Sequence, residues 1–149
     1  MTIFLDTGIL GLLTHKRLSE EVQSCLNWLR EVILAGHQIV VCEINDYELR
    51  RSLIRTNSKH SIGELESLIS TLTYSPISTP VMRRAAANWA HARNTGYPLA
   101  HPQALDCDMI LLAHVQEFHV TNQPAVIVTT DVADLSRFTD ARLWQDIIP

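Results

Sequence analysis

Short apolar runs alternate along this chain with longer stretches whose apolar residues recur every three or four positions. Few folds accept that alternation. Residues 2–5 read as a short buried strand and Ile39, Val40 and Val41 as a second. Residues 72–77 hold a weaker third, 125–128 the clearest one, and the segment near Leu143 a last one. Between them lie helical patterns. Ser19 opens the first, with Glu20 and Glu21 in the turn where the helix dipole favours negative charge. Val22, Leu26, Leu29 and Ile33 line one face of it, and Gly36 is a natural stop. Residues 43–57 read as a helix, and Ile62, Leu65, Leu68 and Ile69 mark another. Thr79-Pro80, a cap residue then proline, starts a helix that Gly96 closes. Two more follow, from about 105 to 118 and around 132–136. The pattern predicts a mostly parallel sheet with helices on both faces. Ligands of such sheets bind beyond the carboxyl ends of the strands.

At 149 residues the chain fits one domain, 1–149. A domain of that size buries about 70% of its unfolded surface and needs no disulfide or structural metal to hold a core. No run approaches the ~20 apolar residues of a membrane span, and the start lacks the basic and apolar segments of a signal peptide. The expectation is a cytoplasmic protein. Cys25, Cys42 and Cys107 are odd in number and far apart, which points to buried reduced thiols rather than a disulfide framework or a C-x-x-C metal site. A net charge of −4 is not the footprint of a protein held on nucleic acid by bulk charge, so any such contact must be local.

The acids stand out against this frame. Asp6 follows the first strand, and Asp131 follows the strand at 125–128, so both fall at the same end of the sheet. Glu48 lies in NDYELRRSL, on the helix after strand two. Asp108 lies in ALDCDMILLAHV and shares a helical stripe with Leu105, Leu112 and Val115, an apolar setting for a charge. Each has a plain structural reading: Asp6 and Asp131 as helix caps, Glu48 as a solvated residue, Asp106 and Asp108 as first-turn acids. The joint placement of Asp6, Glu48, Asp108 and Asp131 argues for more. Like charges about 4 Å apart repel by roughly 4 kcal/mol at an effective dielectric of 20. Such a set must take up protons or hold a cation. Oxygen-only donors select a hard ion, Mg²⁺ or Mn²⁺.

Basic residues form two groups, Arg50, Arg51, Arg55 and Lys59 near Glu48, and Arg83, Arg84 and Arg93 further on. Arg50 and Arg51, nearest to Glu48, are the candidates for phosphate contact or for an acidic partner. HVQEFH at 114–119 is a poor zinc motif: its two histidines are about 140° apart on a helix. No P-loop, G-x-S-x-G or G-x-G-x-x-G occurs.

FLDTGIL, YELRRSL, DCDMILLA and VIVTTDVADLSRF, in that order, resemble the four anchors of the PIN domain, most closely the small stand-alone ribonucleases of the VapC toxin type. The resemblance covers the whole chain. It implies an α/β/α sandwich around a parallel sheet of order 3-2-1-4-5, and Mg²⁺- or Mn²⁺-dependent hydrolysis of RNA phosphodiesters. It assigns the metal-binding and catalytic acids to Asp6, Glu48, Asp108 and Asp131, with Asp106 as an accessory, and supporting hydroxyls to Thr7 and Thr130. It also implies RNA as substrate, an antitoxin protein as partner and a homodimer to which the apolar helix at 62–69 would contribute. Departures exist: Met109, Ile110 and Leu111 are larger than the family's small residues there, Ser52 stands near a frequent Gly, and Asp131 replaces a frequent Asn. The alternatives are a PIN-fold module that binds RNA or protein without cutting, and a phosphohydrolase of the haloacid dehalogenase kind. Against the latter, Gly8 and Leu10 fill the places of the second acid and the Thr in D-x-D-x-T.

Overall fold

The computed structural model describes residues 1–96, 105–119 and 124–149. Its element order is β1 (Thr2–Leu5), α1 (Thr7–Leu13), α2 (Glu20–Leu34), β2 (Gln38–Cys42), α3 (Glu43–Arg55), α4 (Lys59–Thr71), β3 (Thr73–Ser75), α5 (Thr79–Asn94), α6 (Leu105–His119), β4 (Ala125–Val128), α7 (Val132–Leu135) and β5 (Ala141–Arg142), with a final 3-10 turn at Trp144–Asp146. The strands form one parallel sheet of order β3-β2-β1-β4-β5, as expected.

Strand alternation sorts the core into two layers. Ile3 and Leu5 face one side with Ile39, Val41, Val126 and Val128, where they meet α1, α2, Leu49 of α3 and Leu65 of α4. Phe4 faces the other with Val40 and Ile127, against Cys107, Leu111 and Val115 of α6. α5 packs outside α6 through Val81, Ala85, Met109 and Leu112. The C-terminus is tied down by the Trp28 indole, which donates to the Ile147 carbonyl at 3.2 Å.

Several elements differ from expectation. α1 falls in a segment that the helical periodicity passes over: at seven residues it is too short to show its repeat. α5 is capped by Ser78, whose hydroxyl accepts from the Val81 amide, and Thr79 is its first residue. α3 stops at Arg55 because Asn57 takes a positive φ of 53°, a conformation Asn tolerates. β5 is centred before Leu143. On the apolar side of α4, Leu65 is buried, and Leu68 and Ile69 pack on the core while staying partly exposed. Among the described residues no helix is long and apolar enough to cross a membrane. All three cysteines are buried and unpaired.

Candidate metal centre

Parallel strands all deliver their carboxyl ends to one edge, and the acids gather there. The N–H of Asp6 donates to the Val128 carbonyl at 3.0 Å, extending the β1–β4 pairing by one step. Register then sets Asp6 beside Thr129, since Leu5 pairs with Val128. Asp6 also caps α1: its Oδ1 accepts from the Thr7 amide at 2.7 Å. Its Oδ2 accepts from the buried Thr129 hydroxyl at 2.8 Å. Thr129 Oγ1 in turn accepts the Asp131 amide at 3.0 Å, so one hydroxyl links the ends of β1 and β4. Asp131 caps α7 by accepting from the Ala133 amide at 3.3 Å.

Glu48 is held from below. The Thr7 hydroxyl donates to Glu48 Oε2 at 2.6 Å and accepts from the Asn45 amide at 3.0 Å. Asn45 is buried, and among the described residues its Oδ1 has no hydrogen-bond donor. Thr7 is thus placed by α1 and Asn45 by α3, and together they fix the rotamer of Glu48. Arg51 Nη2 stands 4.0 Å from Glu48 Oε1.

Asp108 enters from the first turn of α6, half-buried, with Leu112 and Val115 of its stripe fully buried as the spacing predicts. Burial pushes its carboxyl up to about 7, and the negative charges of Asp6, Glu48, Asp134 and Asp131 push in the same direction. Asp6 is also raised, mainly by burial; its bonds from Thr129 and Thr7 oppose the rise, and Glu48 and Asp131 add to it. The Cys107 thiol beside Glu48 is pushed up to about 11 by burial, so it stays protonated and inert. A cap needs only one oxygen, and Ser or Asn serves as well as Asp. Capping therefore explains the orientation of Asp6 and not its charge.

The structure redistributes some of the sequence candidates. The hydroxyl on Asp6 is that of Thr129, not Thr130. Thr130 instead faces α1, where a Cβ on Gly8 would lie 2.6 Å from its Oγ1; the glycine is what permits that approach. The two threonines point to opposite sides by the same alternation that sorts the strand residues. Asp106 is exposed and borders a groove with Met82, Trp89 and Met109. Asp134, in the first turn of α7, adds its charge to those acting on Asp108. Thr129 and Asn45 were not legible as site residues. The one available signal was register, which needs the strand pairing to be known.

Arg50 is not open to a ligand: its Nε bonds Asp46 Oδ1 at 2.8 Å and its Nη1 bonds Glu66. Arg51 is open, more than half exposed, with its guanidinium 5.2 Å from the centre of the Tyr47 ring. Arg84 pairs with Glu117, and Arg93 lies over the Trp89 ring. Of the decoy histidines, His114 is buried with Nδ1 3.2 Å from Ser75 Oγ, and burial lowers its pKa. The His119 side chain lies outside the described residues.

The donor set is all carboxylate and hydroxyl oxygen, which suits a hard divalent cation. Among the described residues, no group of three or more His, Cys, Asp or Glu side chains stands close enough together to hold a metal ion as placed. The acids form an open rim. Mg²⁺ commonly takes one or two direct carboxylates and keeps several waters, so an open rim fits it better than it would fit a fully protein-caged ion.

No protein-family model and no curated protein sequence matches the chain. Solved structures do. A chain of VapBC2 from Rickettsia felis, in a complex bound to a DNA fragment from its promoter, superposes with a TM-score of 0.72 at 16% identity, over 97% of this chain and 99% of that one. VapBC-1 from nontypeable Haemophilus influenzae gives 0.71 at 18% identity, over 98% and 100%. FitAcB from Neisseria gonorrhoeae gives 0.69 at 18%, over 97% and 99%. Near-complete coverage in both directions, with the sheet order 3-2-1-4-5, shows that the chain has the PIN-like α/β/α fold seen in VapBC structures.

Proposed function

We propose that this protein is a Mg²⁺- or Mn²⁺-dependent ribonuclease, the toxin member of a VapBC-like pair. One observation carries the reading: at the carboxyl edge of one sheet, Thr7 bonds both Asp6 after β1 and Glu48 of α3, Thr129 bonds both Asp6 and the Asp131 amide, and half-buried Asp108 of α6 is close enough for their charges to raise it. No structural need of the fold calls for so many uncompensated carboxylates at one rim. Asp6, Glu48 and Asp108 would hold the ion, directly or through water, with Asp131 completing the site. When bound, the ion supplies acidity to a nearby water and positive charge against a phosphoryl group.

The chain's own residues do the rest. Thr129 and the Thr7 amide orient the two oxygens of Asp6, and the Asn45–Thr7 relay orients Glu48. Such supporting bonds fix ligand geometry. Asp108, raised by burial and by its acidic neighbours in the ion-free protein, is the acid whose charge a bound cation would relieve most. Arg51 brings positive charge to the mouth of the site. The partner reading rests on the sequence resemblance and on the VapBC fold; a small antitoxin co-purifying from the adjacent reading frame would support it.

The open rim gives some support to a second reading, a PIN-fold module that binds without cutting. One assay separates them. The protein is incubated with mixed-sequence RNA in Mn²⁺, in Mg²⁺ and in EDTA, beside Asp6→Asn. Cleavage in the metals alone, lost in Asp6→Asn, supports the nuclease. RNA or partner binding with no metal-dependent product in any condition supports the module.

A further inference from the structure

Beside the acidic rim lies an open cleft of about 590 Å³ bounded by Thr7, Glu48, Arg51, Ser52 and Arg55. Two residues beyond Arg55 a second depression of about 330 Å³ begins, lined by Lys16, Asn57, Ser58, Lys59 and His60. Glu48 is the only acid lining either one. In a chain of net charge −4 this is a marked local inversion of sign. Arg55, Lys16 and Lys59 are exposed and make no ion pair among the described residues. That separates them from Arg50, Arg84 and Arg142, each of which is paired.

We infer that these two clefts form one track that carries the backbone of single-stranded RNA away from the catalytic rim, with Arg51 and Arg55 on the phosphates nearest the cut and Lys16 and Lys59 on those further out. The inference deepens the ribonuclease reading and rests on it. Arg51 and Arg55 are four residues apart on α3, one above the other on the same face. They are about 6 Å apart along the axis, close enough for both guanidiniums to reach one short stretch of backbone. Arg51 is steadied by the Tyr47 ring, which turns a flexible cation into a fixed one. An acidic rim repels RNA; a track starting at Glu48 supplies the attraction that the net charge does not.

The test measures binding of a fluorescein-labelled 12-nucleotide RNA of mixed sequence in EDTA, by anisotropy, from 50 to 300 mM KCl. Arg51→Ala/Arg55→Ala should bind at least tenfold more weakly at low salt. Its log Kd against log salt slope should be shallower by about 1.4, two contacts at about 0.7 each. Lys16→Ala/Lys59→Ala, which touches no catalytic acid, should show a smaller loss and a similar change of slope. Arg50→Ala should bind within twofold of the parent. Equal affinity and slope in both double variants, or no measurable RNA binding by the parent, overturns the track. A twelve-residue poly-glutamate peptide that binds as tightly as RNA, with the same losses, overturns the RNA assignment in favour of an acidic protein segment. The cleavage assay keeps the two readings apart. Binding that follows the track without any metal-dependent product sinks the nuclease and leaves the track. Cleavage at unchanged kcat/KM in Arg51→Ala/Arg55→Ala sinks the track and leaves the nuclease.

Discussion

Helix α3 carries two acids two residues apart that have opposite fates. Asp46 is met by Arg50 at 2.8 Å and by the Tyr74 hydroxyl at 3.2 Å, and Arg50 also reaches Glu66. Its negative charge is balanced by the chain itself, and the cluster ties α3 to α4 and β3. Glu48 is met by a threonine hydroxyl and, at 4.0 Å, by the edge of Arg51, and it shares its rim with Asp6 and Asp108. Neither sequence spacing nor helix position distinguishes the two acids. Their neighbours do: where the fold needs a carboxylate it supplies the cation, and where it withholds the cation the charge is left for something else to balance. The contrast gives Asp46 to stability and leaves Glu48 for the metal that the proposed function calls for.

The sharpest way to break that contrast is to neutralise one member of the unbalanced set. Asp6→Asn keeps an oxygen that accepts from the Thr7 amide and turns its NH₂ to Thr129 Oγ1, which can accept from it, so the fold should survive with an unchanged circular-dichroism spectrum. RNA cleavage in Mn²⁺ should fall on the order of 10³-fold or more, the scale of losing a charged group from a metal-assisted site. Cleavage at the parent rate would remove Asp6 from the mechanism. A smaller effect is expected one bond further out. Thr129→Val deletes the hydroxyl on Asp6 Oδ2 without changing shape. It should cost about 10–100-fold in metal affinity or rate, as supporting bonds to ligands do, and titration of Mn²⁺ against rate reads it. Thr130→Val serves as its control and should stay within about threefold; a reversed order would mean that the supporting hydroxyl had been misplaced.

The balanced cluster should respond in stability alone. Arg50→Ala strands Asp46, whose side chain is 13% exposed, beside Glu66. A loss of about 1 kcal/mol, or about 4 °C in Tm, is the expected scale. Thermal melts measure it, and specific cleavage by the folded protein should not change. A cleavage defect with an unchanged Tm would erase the distinction between the two halves of α3.

The same distinction marks how far the sequence could be read. Strand and helix alternation showed through because buried strands and amphipathic helices leave their periods in the chain, and parallel connections then put Asp6, Glu48, Asp108 and Asp131 on one edge. What stayed hidden depends on pairing. Arg50 and Arg51 are neighbours in sequence and 100° apart on the helix, and only the packing of α4 decides that Arg50 meets Glu66 while Arg51 faces the cleft. Thr129 and Thr130 are equally hydroxylic; β1–β4 register selects the first. Asn45 looks like any helical polar residue until α1 brings Thr7 to it. α1 itself is seven residues long, under two full turns, too few for a period to appear.

The effect most specific to an unbalanced site runs against the usual penalty of mutation. In the folded protein Asp108 is raised to about 7, from an ordinary 3.8. Below pH 3.8 both the folded and unfolded states carry the proton, and the site costs nothing. Between pH 3.8 and 7 the unfolded chain releases the proton while the folded one retains it, so stability falls as pH rises; above 7 the penalty is complete and constant. Asn cannot ionise and escapes it. In EDTA, Asp108→Asn should therefore melt with the parent at pH 3.5, pull ahead as pH rises, and hold a lead on the order of 10 °C at pH 8, the scale of the roughly 4 kcal/mol carried by the shift from 3.8 to about 7. A lead that does not change with pH would come from packing instead, and a variant less stable than the parent at pH 8 would show that Asp108 is compensated after all. Adding Mn²⁺ at pH 8 should reverse the order, since the parent gains a ligand-bound state that the variant has lost. A residue that weakens the apo-protein and strengthens the metal-loaded one is under selection for the ion and not for the fold, and this pair of melts distinguishes the two without any RNA in the tube.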